Sequence, residues 1–417
     1  MITLRLMRNT AARKDGWMTS QAEWSQRGQD ILLNLFNRGD RVMVKGEGSY
    51  LFDADGKAYL DFMSGIAVNA LGHGHPALVQ TMADQGQLGM HFSNYYWNTP
   101  AIELAEKLAE KTGLGQAFFC NSGTEANEAA IKLARKWGRQ HKGEAAIQII
   151  SCQQSFHGRT MGSLAATGQA SLQAPFAPML EGFSYVPYND CQALKQAVTK
   201  ETCAIIVEVI QGEGGVHPMT QAYAQTLKDL QAEADLLLII DEVQTGVGRT
   251  GHFLASQGYG LQADMLTLAK GLAGGFPIGA LLAGEKIQAS VQPGDHGSTF
   301  GGNPLACALA NTVLDVLDQD QLLANVQERS KQLQEGLNSI RQEVGGIVDV
   351  RGQGLLLGVE LGLPVTDLCQ ACYGAGLLLV SAKGNVVRFL PSLNVSQVDC
   401  DRALAIFAQV LGELQPA

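Results

Sequence analysis

Short aliphatic runs recur through the middle of the chain: Ala117–Cys120, Ala145–Ser151, Ala204–Ile210, Leu236–Ile240, Met265–Ala269 and Ile278–Ala283. Loops and segments of helical spacing separate them. Strands that alternate with helices predict a mostly parallel sheet covered on both faces. Between Arg41 and Leu60 the pattern differs. Polar and apolar residues alternate there, with turn signals at Gly46, Gly48, Asp53 and Gly56, which predicts short antiparallel strands. A long helical stretch follows Ala306 and runs through Glu335. Two strand-like runs come next, Gly346–Val350 and Leu355–Leu361. A last helix is expected from Ser396, whose hydroxyl can cap it, with Asp399 three residues on. The predicted organisation is an N-terminal segment over 18–75 that joins a smaller domain, a large α/β domain over 76–305, and a smaller α+β domain over 306–417. No internal repeat is present.

Composition narrows the class. The chain has 417 residues, 46% of them hydrophobic and only 17% charged. Wholesale disorder needs the opposite balance. The 48 glycines exceed the usual share, yet follow no collagen-like period. Few charges and many glycines suit a large, well-buried enzyme with tight turns. The net charge of −10 offers no basic field for nucleic acid. No apolar run approaches the roughly 20 residues of a membrane helix. Of eight cysteines, only Cys369 and Cys372 have CxxC spacing, and no second pair completes a zinc site. No other His, Cys or carboxylate cluster has metal spacing, so no metal is expected. Buried thiols in a cytoplasmic protein are the reading that follows.

Residues 1–17 stand apart. Arg5, Arg8, Arg13 and Lys14 give them a basic character, but Asp15 interrupts it and serine is absent. A disordered leader is expected, or a start at Met18.

Ligands of open α/β sheets bind beyond the carboxyl ends of the strands. Three polar features fall at such ends. Phe118–Cys120 runs into Asn121-Ser122-Gly123-Thr124-Glu125 and then into a helix carrying Ala126, Ala129, Ala130, Leu133 and Trp137 at helical spacing. Ser122 and Glu125 fit a capping box, and Gly123 and Thr124 would offer free N–H groups to a phosphate. An ordinary strand–turn–helix reads the same way. Asp241 follows five aliphatic residues, so it is partly buried and needs a donor or a cation. Alone it could simply cap the next turn. Lys270 follows Met265–Ala269; a lysine desolvated there loses basicity and can form a Schiff base. Alone it could snorkel to the surface. Together, a phosphate site, a buried carboxylate and a lysine 29 residues later suit pyridoxal phosphate.

From about Asn37 to the C-terminus, the chain resembles the class III (ornithine-type) aminotransferases of the fold-type I pyridoxal phosphate family. Within it the motifs are most similar to those of the enzymes acting on N2-acetylornithine. The segments that carry the resemblance are Tyr59-Leu60-Asp61, Gly65-Ile66-Ala67-Val68, Leu71-Gly72-His73, Asn121–Glu128, Phe156-His157-Gly158-Arg159, Glu208–Gly215, Asp241–Gly251, Ala269-Lys270-Gly271, Ser298–Pro304 and Arg388-Phe389-Leu390-Pro391. One departure is Val209, where the family more often has proline.

The resemblance implies a large domain with a mostly parallel seven-stranded sheet between helices, plus a smaller α+β domain. It implies Lys270 as the Schiff-base lysine and proton shuttle, Asp241 as partner of the pyridinium nitrogen, and Gln244 at the phenolic oxygen. Ser122, Gly123 and Thr124 would hold the phosphate, and Phe156 would stack on the ring. Thr299 would reach the phosphate of a neighbouring subunit, making a homodimer with shared sites. Arg159 and Arg388 would anchor substrate carboxylates by their forked geometry. Glu213 would pair with Arg388, and Ser298 would lie near the substrate. The implied reaction exchanges the terminal amino group of N2-acetylornithine with 2-oxoglutarate, within arginine biosynthesis. Ornithine, succinyldiaminopimelate and 4-aminobutyrate are the rival donors. Ornithine enzymes carry tyrosine where this chain has Ile66, which favours an acylated donor. A catalytically silent dimeric binding protein of the same fold is the rival of another class. His73 and His75 are expected to serve a turn, and Cys369 and Cys372 to pack on one helix face.

Overall fold

The computed structural model describes residues 20–415. The expected leader over 1–17 lies outside them.

The centre is a seven-stranded sheet. Its order is Gln116–Cys120, Gly279–Ala283, Met265–Leu268, Leu237–Asp241, Thr202–Glu208, Gln148–Cys152 and Phe183–Val186. All neighbours run parallel except Gly279–Ala283, which is antiparallel to both strands beside it. Every residue of Thr202–Glu208 and Leu237–Asp241 is buried. That explains their unbroken aliphatic runs: both faces are covered, so neither face calls for polar residues. Alternate side chains feed opposite cores. Ile205, Val207, Leu238 and Ile240 pack on one face with Tyr223, Leu227 and Leu230 of the helix Gln221–Glu233. Ala204, Ile206, Leu237 and Ile239 pack on the other with Ala130, Ile131 and Trp137 of the helix Gly123–Lys142.

The sequence pattern missed Phe183–Val186. It is an edge strand with only Val186 buried, and its mixed pattern carries too weak a periodic signal. The long helical stretch after Ala306 is two helices, Pro304–Gln319 and Leu322–Glu343. Gln321, at φ +50°, breaks it.

The expected N-terminal strands are present as Met43–Glu47, Tyr50–Asp53 and Ala58–Asp61. A fourth strand, Leu377–Leu378, lies parallel to Ala58–Asp61 and comes from the far end of the chain. A separate antiparallel sheet has the order Ile347–Gln353, Leu356–Leu361, Val386–Phe389, Val380–Ala382. The last helix, Gln397–Leu414, is capped by Ser396, whose hydroxyl accepts from the Asp399 N–H at 3.0 Å. Cys372 is buried and Cys369 half-buried on the helix Val365–Ala375, three residues apart on one face. His73 holds Asp61 through Nε2 at 2.8 Å. The His75 side chain makes no cap bond to the helix Pro76–Leu88 that it precedes.

Candidate active site

A cleft opens beyond the carboxyl ends of the parallel strands. Ser122, Gly123, Thr124, Phe156, Arg159, Asp241, Gln244 and Lys270 all line it. The strands deliver these side chains from well-separated stretches of sequence. Cys120 ends the strand before Ser122, and Asp241 is itself the last residue of its strand.

The helix Gly123–Lys142 starts at the floor of the cleft. Ser122 caps it, accepting from the Glu125 N–H at 3.3 Å. The expected capping box is shifted by one residue. Glu125 reaches the N–H of Asn121 at 3.0 Å, not that of Ser122. Glu125 also accepts from the Asn121 side chain at 2.9 Å and from the Ser122 hydroxyl at 2.7 Å. Its carboxylate is thereby committed behind the turn, away from any anion. Among the described residues the Gly123 and Thr124 N–H groups make no hydrogen bond. A helix N-terminus with free N–H groups favours an anion. A Cβ on Gly123 would stand 2.7 Å from the Val243 side chain, so only glycine fits there. The Thr124 hydroxyl bonds those of Ser163 at 2.6 Å and Thr160 at 2.9 Å.

Asp241 is buried and receives three donors. His157 Nδ1 and Asn127 Nδ2 each lie 2.8 Å from Oδ2, and the Val243 N–H lies 3.0 Å from Oδ1. Burial pushes this carboxyl upward, but the His157 and other bonds outweigh it and hold it below the usual carboxylate range. An ionised Asp241 can only accept, so His157 carries its proton on Nδ1. His157 Nε2 is buried without a partner. Asn127 is fixed in turn by the Thr267 hydroxyl at 2.9 Å. Sequence reading gave no site role to His157, Asn127 or Thr267. A signal for Asn127 was present: it is an amide on the apolar stripe of its helix, between Ala126 and Ala130.

Glu208 sits beside Asp241, in register on the next strand. It accepts from the Phe156 N–H at 3.0 Å. Burial first, then the Asp241 charge, raise its pKa well above the ordinary range. Sequence reading gave it no role either.

Lys270 is half-buried with its backbone at φ +45°, a conformation that costs a non-glycine residue about 1 kcal/mol or more. Its ammonium makes no hydrogen bond or ion pair among the described residues. Burial lowers its pKa to about 8 against the pull of Glu213 and Asp241, so much of it is a neutral amine near that pH.

Arg388 is buried and makes a two-pronged pair with Glu213, Nη1–Oε1 at 2.5 Å and Nη2–Oε2 at 3.1 Å. Gln244 lies against both, accepting from Arg388 at 3.2 Å and donating to Glu213 at 3.5 Å. Burial raises Glu213, but Arg388 outweighs it, so the carboxyl stays below its usual range. Arg159 is exposed at the mouth, over the Phe156 ring at 5.6 Å, and makes no salt bridge among the described residues. Ser298 does not line the cleft but bonds Asn121, which does, at 3.1 Å. Thr299 is exposed and lies outside it.

Free N–H groups at a helix start, an ionised carboxylate and a lysine of lowered pKa fit pyridoxal phosphate. Asp241 would keep a ring nitrogen protonated, and Lys270 would supply the amine.

The family model for class-III aminotransferases matches residues 36–411. The chain is 48% identical to an acetylornithine aminotransferase of Caldanaerobacter subterraneus subsp. tengcongensis, over 92% of this chain and 98% of that protein. It is 45% identical to a succinylornithine transaminase of Photorhabdus laumondii subsp. laumondii, over 90% of this chain and 94% of that protein. Among solved structures it is similar to the ornithine aminotransferase of Toxoplasma gondii, with a TM-score of 0.92 at 30% identity, covering 97% of each chain.

Proposed function

The chain belongs to the class-III aminotransferase family, and we propose that it moves the terminal amino group of N2-acetylornithine to 2-oxoglutarate. The products are N-acetylglutamate 5-semialdehyde and glutamate, a step of arginine biosynthesis. It is an aminotransferase dependent on pyridoxal phosphate. When bound, this cofactor supplies an electron sink for charge developing on the carbon that bears the amino group. Lys270 Nζ gives up and takes back a proton at that carbon, which its lowered pKa allows near neutral pH. Asp241, kept ionised by its three donors, would hold a proton on the ring nitrogen. Phe156 would stack on the ring, and Gln244 would meet the phenolic oxygen. Ser122, Gly123 and Thr124 would hold the phosphate.

The observation that carries the substrate reading is the Arg388–Glu213 pair, set against Arg159, which makes no salt bridge among the described residues. Glutamate bears a carboxylate on the reacting carbon. Acetylornithine bears its carboxylate at the far end of the chain. An unmasked Arg388 would draw that distal carboxylate inward and misplace the terminal amine. Glu213 masks it for one donor and swings aside for the other, while Arg159 anchors the distal carboxylate in both cases. Ile66 adds support. It is held at φ +67° in the turn Ser64–Ala67, packed beside Ile210, which lines the cleft. A side chain there without a hydroxyl offers nothing to a free amine. Steady-state comparison of acetylornithine, ornithine, succinyldiaminopimelate and 4-aminobutyrate as donors tests this reading, and a clear preference for any of the last three would refute it. A silent binding protein would instead stay colourless with added cofactor, whereas the enzyme should be yellow and bleach with glutamate.

The working form is a homodimer. Tyr95 and Trp97 are 94% and 92% exposed, and Phe300 and Phe36 are also exposed, next to Thr299 or on the N-terminal segment. Exposed aromatics of this size suit burial against a partner, and a second copy would carry Thr299 to the phosphate of the first. Lys270→Ala mixed with Thr299→Ala subunits gives one site with both defects and one with neither. Activity should reappear on mixing; none at all would count against shared sites. We place the enzyme in the cytoplasm: its cysteines are unpaired, and no helix of the described residues is long and apolar enough to cross a membrane.

A further inference from the structure

Arg249 is buried, and no carboxylate pairs with it among the described residues. Burial alone drags its pKa down to about 9. An unpaired buried guanidinium is costly, so what it touches must need it. Its Nη1 donates to two backbone carbonyls, Leu355 at 3.1 Å and Pro391 at 2.5 Å.

Those two carbonyls lie just beyond the ends of two strands, Leu356–Leu361 and Val386–Phe389, the second of which carries Arg388. Leu357 pairs with Phe389, and Gly358 with Arg388, in an antiparallel ladder. Extended two residues past its last pair, the same register would set Leu355 opposite Pro391. The ladder cannot continue there, because proline has no N–H to give. Arg249 supplies the missing donor from outside the sheet. It sits eight residues beyond Asp241, on the stretch that also carries Gln244. Its own carbonyl accepts from the Leu355 N–H at 2.9 Å, so the grip is two-way. Gln244 meanwhile touches the Arg388 guanidinium itself. One stretch of chain therefore holds the Arg388 strand at two points, one at the guanidinium and one just past the strand's end.

We propose that Arg249 is a positioning residue that splices the end of the Arg388 strand to the Asp241–Gln244 stretch and so sets the reach of Arg388 toward a carboxylate on the reacting carbon. This rests on the two-arginine reading above. Arg249 serves the donor that uses Arg388, which is glutamate, and leaves the donor held by Arg159 largely alone.

The test uses the cofactor-loaded enzyme and the variants Arg249→Met, which keeps bulk but removes the donor, and Arg249→Lys, which restores one. Gly354→Ala strains the same joint from the other side, since its Cβ would stand 2.5 Å from the Arg249 carbonyl. It serves if Arg249→Met does not fold. Arg249→Met or Gly354→Ala should raise the glutamate KM on the order of tenfold or more, a displaced anchor being worth up to about a hundredfold. The acetylornithine KM should stay within about twofold, and Arg249→Lys should recover part of the loss. Calorimetric binding of glutarate, which does not react, should weaken in step, while cofactor absorbance is unchanged. Equal losses for both donors, a fall in kcat alone, or loss of cofactor would overturn the inference. Arg388→Lys separates the two failures. If it harms both donors alike, the two-arginine reading is wrong; if it is selective and Arg249→Met is not, only the role of Arg249 is.

Discussion

Asp241 lines the cleft and Arg388 is bonded to Gln244, which lines it too; both are buried ionic groups, and they are held in opposite ways. Asp241 takes three hydrogen bonds from three places in the chain, and one of its donors, Asn127, is itself fixed by Thr267. Loosening any of them leaves a buried polar atom unpaired, at about 1–3 kcal/mol. Arg388 has one ionic partner, Glu213, which is partly exposed, beside neutral bonds to the Gln244 side chain at 3.2 Å and the Ser381 carbonyl at 3.0 Å. The backbone of Glu213 is tied, its carbonyl accepting from the Lys383 N–H at 3.1 Å, so its freedom lies in side-chain rotation. Groups that do the same work for both donors are over-determined. On the proposed reading, the group that must answer to two unlike donors has a single ionic partner, and that partner can rotate away.

The largest expected effect lies at Lys270. Lys270→Ala should keep the cofactor through Gly123, Thr124 and Asp241 but lose turnover by on the order of a thousandfold or more, because both amine exchange and proton transfer lose their base. Near-normal rates would remove the assigned role. The same amine sets a pH dependence. With its pKa lowered to about 8, the neutral form is lost as pH falls. Capture of added cofactor by cofactor-free protein should slow by about tenfold per unit below that value and flatten above it. A midpoint near that of an ordinary lysine would contradict the burial argument.

Asp241→Asn probes the fixed side. Removing one member of a buried charged network costs about 3–5 kcal/mol, or on the order of a hundredfold or more in rate. Both half-reactions should suffer equally, as read in single-turnover measurements. A selective loss would mean that the fixed side also discriminates between donors.

Glu213→Ala probes the adjustable side with a smaller, lopsided effect. The acetylornithine half-reaction should fall relative to glutamate on the order of tenfold, with the glutamate half spared or improved. Equal losses in both would make Glu213 merely structural.

The same contrast explains what could be read from the sequence. Asp241 and Lys270 stood out because each breaks an aliphatic run, and the alternation of runs gave the parallel sheet. Glu213 facing Arg388, 175 residues apart, came from resemblance and not from any local pattern. The supports of the fixed side were illegible. Asn127 is 114 residues from Asp241 and His157 is 84, so only the folded sheet brings them together. Arg249 reads as one more loop cation until Pro391 is found opposite Leu355. The edge strand Phe183–Val186 was missed because only Val186 of its four residues is fully buried, and the break at Gln321 because a single left-handed residue leaves no periodic mark.

One measurement tests the contrast most directly: a crystal structure of the cofactor-loaded enzyme with glutarate bound. The account predicts that Glu213 leaves Arg388, which turns to the glutarate carboxylate, while the His157, Asn127 and Val243 bonds to Asp241 stay at 2.8–3.0 Å. Glu213 still paired with Arg388 beside bound glutarate, or an Asp241 network that has rearranged, would contradict it.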